Sequence, residues 1–349
     1  MTIQISGCHI GTECPPFVIA EMSGNHNQSL DRALAIVDAA AEAGAHALKL
    51  QTYTADTITL NVRGGDFEIH DHESLWAGQN LHDLYTKAHT PWEWHAPIMQ
   101  RAKEHGMVCF SSPFDESAVD FLEELDVPAY KIASFENNHL PLIAKAASTG
   151  KPLIISTGMA SLGELEQAVS TARSAGCTDL VLLKCTSTYP ATPSNTNIRT
   201  IPHLRELFGC EVGLSDHTMG LGVAVAAVAL GATVIEKHFT LSRAEGGVDS
   251  AFSLEPAELA ALVQESERAW QALGQVRYGP TEAEQKSLVF RRSIYASADI
   301  APGALFTRDN IRIVRPGNGA PPHLFGQLLG RKARQAYSCG TPLSLDQLF

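Results

Sequence analysis

The sequence predicts an α/β fold: a closed (β/α)8, or TIM, barrel followed by a small β-rich C-terminal domain. Eight short apolar runs rich in β-branched residues recur along the first 275 residues, and most precede an Ala/Leu-rich stretch of helical periodicity. Continuous apolar runs of this kind are typical of parallel strands that are buried on both faces. Eight strand–helix units in about 250 residues match the size of a closed barrel.

Each of the eight predicted strands ends in polar or ionisable residues. The strands are Phe17–Glu21, His46–Gln51, Met107–Ser112, Ala129–Ser134, Leu153–Thr157, Leu180–Thr186, Val212–His217 and Thr233–His238. In a closed parallel barrel the catalytic groups lie at the carboxyl ends of the strands. The polar residues at these ends are therefore the first candidates for a functional site.

Capping residues delimit the helices between the strands. Ser29 is placed to cap the first predicted helix, and Gly44 is placed to end it. The same order of helix, glycine and strand recurs at Gly106, Gly176, Gly209 and Gly231. These positions fix where each strand–helix unit gives way to the next.

One connection is too long to be a simple link. Residues 52–91 follow the second strand and predict a lid or a substrate-binding excursion. Trp76, Trp92 and Trp94 could stack on a sugar, but we expect them to pack this segment against the barrel. The excursion is thus predicted to shape the mouth of the barrel.

The barrel pattern ends near residue 275. Residues 276–290 are predicted to be a linker, and residues 291–349 a small β-rich domain with strands Arg292–Ala298 and Ile311–Val314. A domain of this size buries only a modest core by itself. We therefore expect it to dock on another surface.

Composition excludes several classes of function. The net charge is −12, from 26 Lys and Arg against 38 Asp and Glu, which excludes sequence-independent nucleic-acid binding. No apolar run has the length needed to span a membrane. The first residues lack the basic and apolar segments of a signal peptide, and the seven cysteines contain no Cys-x-x-Cys pair. We therefore expect a cytoplasmic protein with reduced thiols.

Two histidines form the sharpest pair of candidate metal ligands. His217 and His238 end the seventh and eighth predicted strands, which are neighbours in a barrel. Two imidazoles leave open positions for water and a substrate oxygen, as a Lewis-acid metal requires. A single histidine at a strand end is more often only a hydrogen-bonded polar residue. The pair, with its oxygen and nitrogen donors, favours a divalent ion, Mn²⁺ with Mg²⁺ and Co²⁺ as the alternatives.

Lysines within the predicted strands form a second set: Lys49, Lys131, Lys184 and Lys237. Lysine inside a buried parallel strand is rare without a partner. Together with hydroxyls at Ser112, Ser134, Ser156 and Ser215, these ammonium groups could bind a phosphate. Two other readings stay open: a lysine paired structurally to Glu21 or Glu236, and a Schiff-base lysine at Lys131 or Lys184.

Carboxylates complete the candidate site: Glu21, Glu136, Glu236 and Asp249. A barrel mouth that holds cations, a metal and carboxylates can transfer protons to and from a sugar-like substrate. Glu236 could equally serve only as a partner for a lysine or a histidine. A non-catalytic carbohydrate-binding protein is disfavoured, because binding alone needs no such set of ionisable groups.

Five motifs resemble those of the sialic acid synthase family, and the resemblance covers nearly the whole chain. They are Ile19–His26, Lys131–Ser134, Ile154–Met159, Gly213–Thr218 and Ile235–Phe239. The C-terminal domain, including Arg315–Gly319, resembles the antifreeze-like (SAF) domain of that family. Within the family, the pseudaminic acid branch is most similar at Leu75–Tyr85, Thr90–His95 and residues 131–138.

The resemblance implies a condensation of phosphoenolpyruvate with the open-chain aldehyde of an amino sugar. The acceptor in the pseudaminic acid branch is 2,4-diacetamido-2,4,6-trideoxy-L-altrose, and the products are a nonulosonic acid and phosphate. N-acetylneuraminate and legionaminic acid synthases are the alternatives within the family, and a Schiff-base aldolase or lyase is the alternative outside it.

The resemblance also assigns roles to individual residues of this chain. It places phosphoenolpyruvate at Lys49, Ser112, Lys131, Ser134, Ser156, Ser187 and Ser215, and the metal at His217 and His238. It places the sugar at Gln51, Glu136, Tyr189, Asp249 and Arg315. The implied catalytic residues are Glu21, Lys49, Tyr189, Glu236 and Asp249, with Glu21 handling a proton. Because Arg315 would reach the mouth of a neighbouring subunit, a domain-swapped homodimer is expected.

Overall fold

The computed structural model describes residues 2–72 and 75–344. The chain divides into two compact units, residues 1–274 and 275–349. Residues 345–349 of the predicted C-terminal domain lie outside the described residues. Among the helices of the described ranges, none combines the length and apolar character needed to cross a bilayer.

The first unit is a closed parallel barrel, which confirms the predicted fold class. An antiparallel hairpin of β1 (Ile3–Ile5) and β2 (Cys8–Ile10) precedes it. The barrel strands are β3 (Phe17–Glu21), β4 (Ala47–Thr52), β5 (Val108–Pro113), β6 (Tyr130–Ile132), β7 (Leu153–Ser156), β8 (Leu180–Cys185), β9 (Glu211–Ser215) and β10 (Val234–His238). They pair in this order, and β10 closes the barrel against β3, with His238 opposite Glu21.

The hairpin packs against the inward-facing apolar side chains of the barrel. Ile3, Ile5 and Ile10 form one buried cluster with residues such as Phe17 and Phe110 at the amino ends of the strands. This hairpin was not predicted from the sequence. A plug at this end leaves the opposite end, where the polar strand ends lie, as the place for a site.

Helices follow the barrel strands, and all but the two in residues 52–91 pack around the outside of the barrel. They are α1 (Leu30–Glu42), α2 (Ala55–Ile58), α3 (Leu81–Ala88), α4 (His95–Glu104), α5 (Glu116–Glu124), α6 (Leu140–Ala147), α7 (Leu162–Ser174), α8 (Thr200–Phe208), α9 (Gly222–Ala229) and α10 (Pro256–Leu273). The Ser29 hydroxyl caps α1 by accepting from the Arg32 amide, as predicted. Gly209 ends α8 in the left-handed conformation, a position that glycine occupies without strain.

The excursion over residues 52–91 carries α2 and α3. Trp92 stacks on Phe121 with ring centroids 4.6 Å apart, and Trp94 meets the edge of His26 at 5.5 Å. These two contacts confirm the predicted packing role. Trp76 differs: its indole N–H donates to the Val248 carbonyl at 3.1 Å, and its ring lines the cavity described below.

The second unit contains β11 (Ser293–Ala296), β12 (Ile311–Val314) and α11 (Phe325–Leu328). The two strands pair antiparallel, with Ser293 opposite Val314. Side chains such as Ile294, Phe306 and Tyr337 form a separate small core. Both strands were predicted, and the second has the predicted bounds.

Candidate active site

A cavity of about 640 Å³ opens at the carboxyl end of the barrel and collects nearly all the predicted site residues of the first unit. They are Glu21, Lys49, Gln51, Lys131, Ser134, Glu136, Ser156, Ser187, Tyr189, Ser215, His217, Glu236, His238 and Asp249. Side chains alternate along a strand, so residues two apart on β4 and β10 point into the same space. The polar strand ends therefore converge as predicted.

Lys49 and Glu21 form a buried ion pair on neighbouring strands. Lys49 Nζ lies 2.6 Å from Glu21 Oε2 and donates to the Ser112 hydroxyl at 3.2 Å. Gln51 donates its side-chain N–H to the other carboxylate oxygen of Glu21 at 2.7 Å. Ser112 is buried behind the lysine and is not part of the cavity lining. It therefore positions the ammonium group of Lys49 rather than facing a ligand.

Lys131 and Glu236 form a second buried ion pair across the barrel. Lys131 Nζ donates to Glu236 Oε1 at 3.2 Å, and the Ser215 hydroxyl donates to the same oxygen at 3.0 Å. Lys131 is 2% exposed and Glu236 is 4% exposed. Burial and the charge of Lys49 lower the pKa of Lys131, and the Glu236 carboxylate opposes that shift without reversing it. The pair nevertheless brings one ammonium and one carboxylate group to the same wall of the cavity.

The cavity carboxyl groups differ in how readily they ionise. Burial raises the pKa of Glu21 from 4.5 to about 7, although Lys49 acts in the opposite direction. Burial likewise raises the pKa of Glu136 to about 7, against the opposing charge of Lys131. For Glu236 the effect of burial is outweighed by Lys131 and Lys49, and the pKa falls to about 2. Glu21 and Glu136 can therefore exchange protons near neutrality, while Glu236 remains a fixed anion.

The rings of His217 and His238 meet edge-on, with centroids 5.3 Å apart. The Nδ1–H of His217 donates to the Thr186 carbonyl at 2.9 Å, and within residues 2–72 and 75–344 its Nε2 has no hydrogen bond. Burial and the neighbouring His217 keep the pKa of His238 well below its usual value. Nδ1 of His238 is buried and has no hydrogen-bond partner within the described part of the chain. A neutral imidazole with an unused nitrogen is a suitable metal ligand.

The imidazole pair fits an open metal site rather than a closed one. In residues 2–72 and 75–344 no group of three or more His, Cys, Asp and Glu side chains could hold an ion. Asp249 Oδ2 lies 3.7 Å from His238 Nδ1, and the Ser23 hydroxyl bonds to the same oxygen. Burial raises the pKa of Asp249, while Ser23 opposes that shift. Two imidazoles would thus leave the remaining ligand positions to substrate or water.

Aromatic rings enclose the imidazoles. The Tyr189 ring lies 4.5 Å from that of His217 and 5.9 Å from that of Trp76, measured between centroids. The Phe252 ring lies 4.9 Å from that of His238. Burial raises the pKa of the Tyr189 hydroxyl, which therefore stays protonated and able to donate. The rings restrict the space beside the imidazoles.

Hydroxyl groups at the ends of three neighbouring strands line the cavity, those of Ser134, Ser156 and Ser187, and Gly158 lies against two of them. The Gly158 amide donates to the Ser134 hydroxyl at 3.2 Å, and Asn137 donates its side-chain N–H to the Gly158 carbonyl at 3.0 Å. A Cβ atom at Gly158 would overlap the hydroxyls of Ser134 and Ser187. The Ser156 hydroxyl is buried in the cavity wall without a hydrogen-bond partner in the described chain. Buried hydroxyls of this kind are available to an anionic ligand.

Comparison with known proteins fits this arrangement. The sequence matches the NeuB family over residues 36–278 and the SAF domain over residues 291–348. It is 44% identical over 335 residues to the pseudaminic acid synthase of Campylobacter jejuni, covering 96% of this chain and 97% of that protein. The chain belongs to the NeuB family. The resemblance to sialic acid synthases seen in the sequence is thereby confirmed.

Other members of the NeuB family extend the comparison. The pseudaminic acid synthase of Helicobacter pylori is 42% identical, covering 96% of this chain and 98% of that protein. The crystal structure of N-acetylneuraminic acid synthetase from Leptospira borgpetersenii, in complex with citrate, superposes with a TM-score of 0.72 at 33% identity. That superposition covers 82% of this chain and 95% of the crystallised one.

Two of the four strand lysines lie outside the site of this NeuB-family chain, contrary to expectation. Lys237 forms a buried ion pair with Asp216 at 2.9 Å and donates to the Thr218 carbonyl at 2.6 Å. Lys184 donates to the Cys185 carbonyl at 2.7 Å and does not line the cavity. Both lysines have neighbours in sequence that do face the cavity. Side chains alternate between the two faces of a strand. Lys184 and Lys237 therefore point away from the cavity that their sequence neighbours line.

Several cavity residues were not singled out from the sequence. Tyr53 and Tyr85 reach the cavity from the excursion over residues 52–91, beside Trp76, which had been expected to pack the segment against the barrel. Cys185 also lines the cavity, and its Sγ lies 3.9 Å from His217 Nδ1. Its position two residues from Leu183, on the inward face of β8, was the available signal. Arg315 is exposed in the second unit, directly after β12.

Proposed function

We propose that the chain is a pseudaminic acid synthase. It would condense phosphoenolpyruvate with the open-chain aldehyde of 2,4-diacetamido-2,4,6-trideoxy-L-altrose and release phosphate. The observation that carries this proposal is the convergence of two buried lysines and two imidazoles in one cavity of a NeuB-family barrel. Two nearly full-length relatives named pseudaminic acid synthase support the choice of acceptor sugar.

Phosphoenolpyruvate would occupy the lysine-lined part of the cavity. The ammonium groups of Lys49 and Lys131 supply positive charge to a phosphate or carboxylate, and the surrounding walls keep water out. The unpartnered hydroxyl of Ser156 and the hydroxyls of Ser134 and Ser187 supply further hydrogen bonds. Gly158 keeps the loop close enough for these groups to meet one ligand.

His217 and His238 are the residues that would hold a divalent ion, Mn²⁺ in the first instance. Such an ion supplies Lewis-acid polarisation of a carbonyl oxygen. The unused ring nitrogen of His238 supports this assignment. Nearby, the Asp249 carboxyl group and the Tyr189 hydroxyl would orient the aldehyde end of the sugar.

The carboxyl groups of the chain would handle the protons of the reaction. Carbon 3 of phosphoenolpyruvate bonds to the aldehyde carbon, whose oxygen takes up a proton, and an oxocarbenium ion forms at carbon 2. Water adds to carbon 2 and loses a proton to Glu21. The remaining hydroxyl proton passes to the phosphate oxygen as the carbon–oxygen bond to phosphate breaks, which releases hydrogen phosphate and leaves the ketone. Glu21 suits this role because its pKa of about 7 allows it to accept and release a proton.

Two alternatives remain distinct hypotheses: the same condensation with a different acceptor sugar, and a Schiff-base reaction. N-acetylneuraminate and legionaminic acid synthases would use the same lysines and imidazoles with a different sugar. A Schiff-base lyase would need a neutral amine, whereas Lys131 is held in an ion pair with Glu236 and Lys184 lies outside the cavity. The charges at Lys131 therefore favour ligand binding over imine formation.

Release of phosphate from phosphoenolpyruvate tests the proposal directly. A panel of 2-acetamido and 2,4-diacetamido sugars is offered with and without a chelator, and phosphate is measured. We expect the highest turnover with the trideoxy-L-altrose acceptor, loss of turnover with chelator, and recovery on adding Mn²⁺. Trapping of substrate on the protein by borohydride, with activity unaffected by chelator, would instead support the lyase.

We further propose a domain-swapped homodimer in the cytoplasm. Arg315 is exposed on the small SAF domain and would reach the cavity of a partner subunit. All seven cysteines are free thiols, which agrees with a reducing compartment. Arg315→Ala and Lys131→Met should each inactivate the enzyme alone, and mixed dimers of the two should regain activity. Absence of that complementation in confirmed mixed dimers contradicts the swapped arrangement.

A further inference from the structure

The cavity has two walls of opposite chemistry. The strand ends contribute the charged and hydroxyl groups already described. The excursion contributes an apolar wall, defined here as Ile58, Ile69, Leu81 and Leu84. None of these four side chains can donate or accept a hydrogen bond, so the wall offers nothing to a hydroxyl group placed against it.

The apolar wall arises from the amphipathic helix α3. Leu81, Leu84, Tyr85 and Ala88 follow the spacing i, i+3, i+4 and i+7, and all four line the cavity. The charged residues of the same segment are directed elsewhere. Asp83 pairs with Arg63, and His82 Nε2 lies 2.9 Å from the Asp56 carboxylate. Among its described residues, the excursion thus lines the cavity with aliphatic side chains beside the rings of Tyr53, Trp76 and Tyr85, and with no charged side chain.

Under the proposed function, the acceptor sugar extends from the imidazole pair toward the segment that carries the apolar wall. The rings of Trp76, Tyr189 and His217 are in sequential contact, so Trp76 connects the excursion to the imidazole pair. A sugar whose aldehyde lies at the imidazoles bonds to phosphoenolpyruvate on the lysine side. Its remaining carbons therefore extend away from the lysines, toward the space that the excursion bounds.

We propose that the apolar wall binds the methyl group at the end of the acceptor distal to its aldehyde, and so selects a 6-deoxy sugar over its 6-hydroxy counterpart. This inference rests on the proposed function and adds the residues that set its specificity. A hydroxyl against the wall loses its water without gaining a partner, whereas a methyl group loses unfavourable contact with water. Two substrates that differ by one such group differ roughly 10- to 100-fold in kcat/KM.

Two substitutions test the wall without entering the charged part of the site. Leu81→Asn changes a half-buried first residue of α3, and Ile58→Thr keeps the branched shape while adding a hydroxyl. Leu60→Asn is the matched control, since Leu60 belongs to the same excursion, is 62% exposed and does not line the cavity. Each protein is assayed with 2,4-diacetamido-2,4,6-trideoxy-L-altrose and with the same sugar carrying a 6-hydroxyl group.

The wild-type chain should prefer the 6-deoxy sugar by roughly 10- to 100-fold in kcat/KM. Leu81→Asn and Ile58→Thr should reduce this preference by about 10-fold, chiefly through KM for the 6-deoxy sugar, with KM for phosphoenolpyruvate unchanged. Leu60→Asn should keep the wild-type ratio. An unchanged ratio in both wall variants, with a wild-type enzyme active on these sugars, overturns the inference alone. If the wild-type enzyme releases no phosphate with any acceptor, the proposed function fails and the inference fails with it.

Discussion

Replacing Glu21 by glutamine should stabilise the folded protein at neutral and alkaline pH while removing activity. Glutamine resembles the protonated carboxyl group in shape and charge. Burial raises the pKa of Glu21 from 4.5 to about 7, with Lys49 opposing the shift. The difference between these values, at 1.36 kcal/mol per pH unit, corresponds to about 3 kcal/mol of unfavourable ionisation above pH 7. Glu21→Gln should recover a free energy of this order.

The protonation of Glu21 determines how the stability of the folded chain depends on pH. Between about pH 4.5 and pH 7 the folded chain binds a proton at Glu21 that the unfolded chain has released, so stability falls as pH rises through this window. The advantage of Glu21→Gln should therefore be largest at about pH 8 and should vanish at about pH 4.5 and below. Urea unfolding of both proteins across this range measures it.

Glu236→Gln is the matched comparison, and its effect on stability should have the opposite sign to that of Glu21→Gln. The lysines lower the pKa of Glu236 to about 2, so its carboxylate contributes stability that persists above the ordinary value of 4.5 and is lost as pH falls toward 2. At about pH 8 this variant should lose about 3 kcal/mol. Two variants of the same sign, or a Glu21→Gln effect independent of pH, would refute the electrostatic reasoning for both carboxyl groups.

Two further predictions concern the cations and the metal. His217→Ala and His238→Ala should each remove most phosphate release while the circular dichroism spectrum and cooperative unfolding persist, because the imidazoles lie in the cavity lining rather than in the barrel core; near-wild-type turnover in both would contradict a metal at this pair. Lys131→Met should lower kcat/KM for phosphoenolpyruvate by about 100-fold or more, as expected for loss of a buried charge that contacts substrate. Lys184→Met should leave it within about twofold, since Lys184 lies outside the cavity; equal losses in both lysine variants would argue against the assigned site.

The barrel could be predicted from sequence because its strands are continuous apolar runs. Phe17–Glu21 has its predicted bounds, and the other barrel strands differ by at most a few residues. The hairpin of β1 and β2 was missed because each strand has only three residues. Its alternating Ile3 and Ile5, followed by Gly7 in a positive-φ turn, carry too little periodicity to stand out.

The candidate site could be predicted as a set of strand ends but not as contacts. The sequence places Lys131 and Glu236 far apart, and only closure of the barrel brings them to 3.2 Å. The direction of each side chain was available from the alternation along β10, which assigns Lys237 to the outside. The cavity-lining residues of the excursion could not be predicted from such an alternation. The face that α3 turns toward the cavity depends on where the segment folds back over the mouth of the barrel.

The alternation along β10 also limits how such enzymes can evolve. Glu236 and His238 line the cavity, while Lys237 between them is held outside by Asp216. Deleting or inserting one residue in this strand would turn every side chain beyond it to the opposite face, exchanging an anion and an imidazole for an ammonium group. Lineages that acquire new acceptors should therefore accumulate insertions and deletions in the excursion over residues 52–91, and conserve the length of the strand.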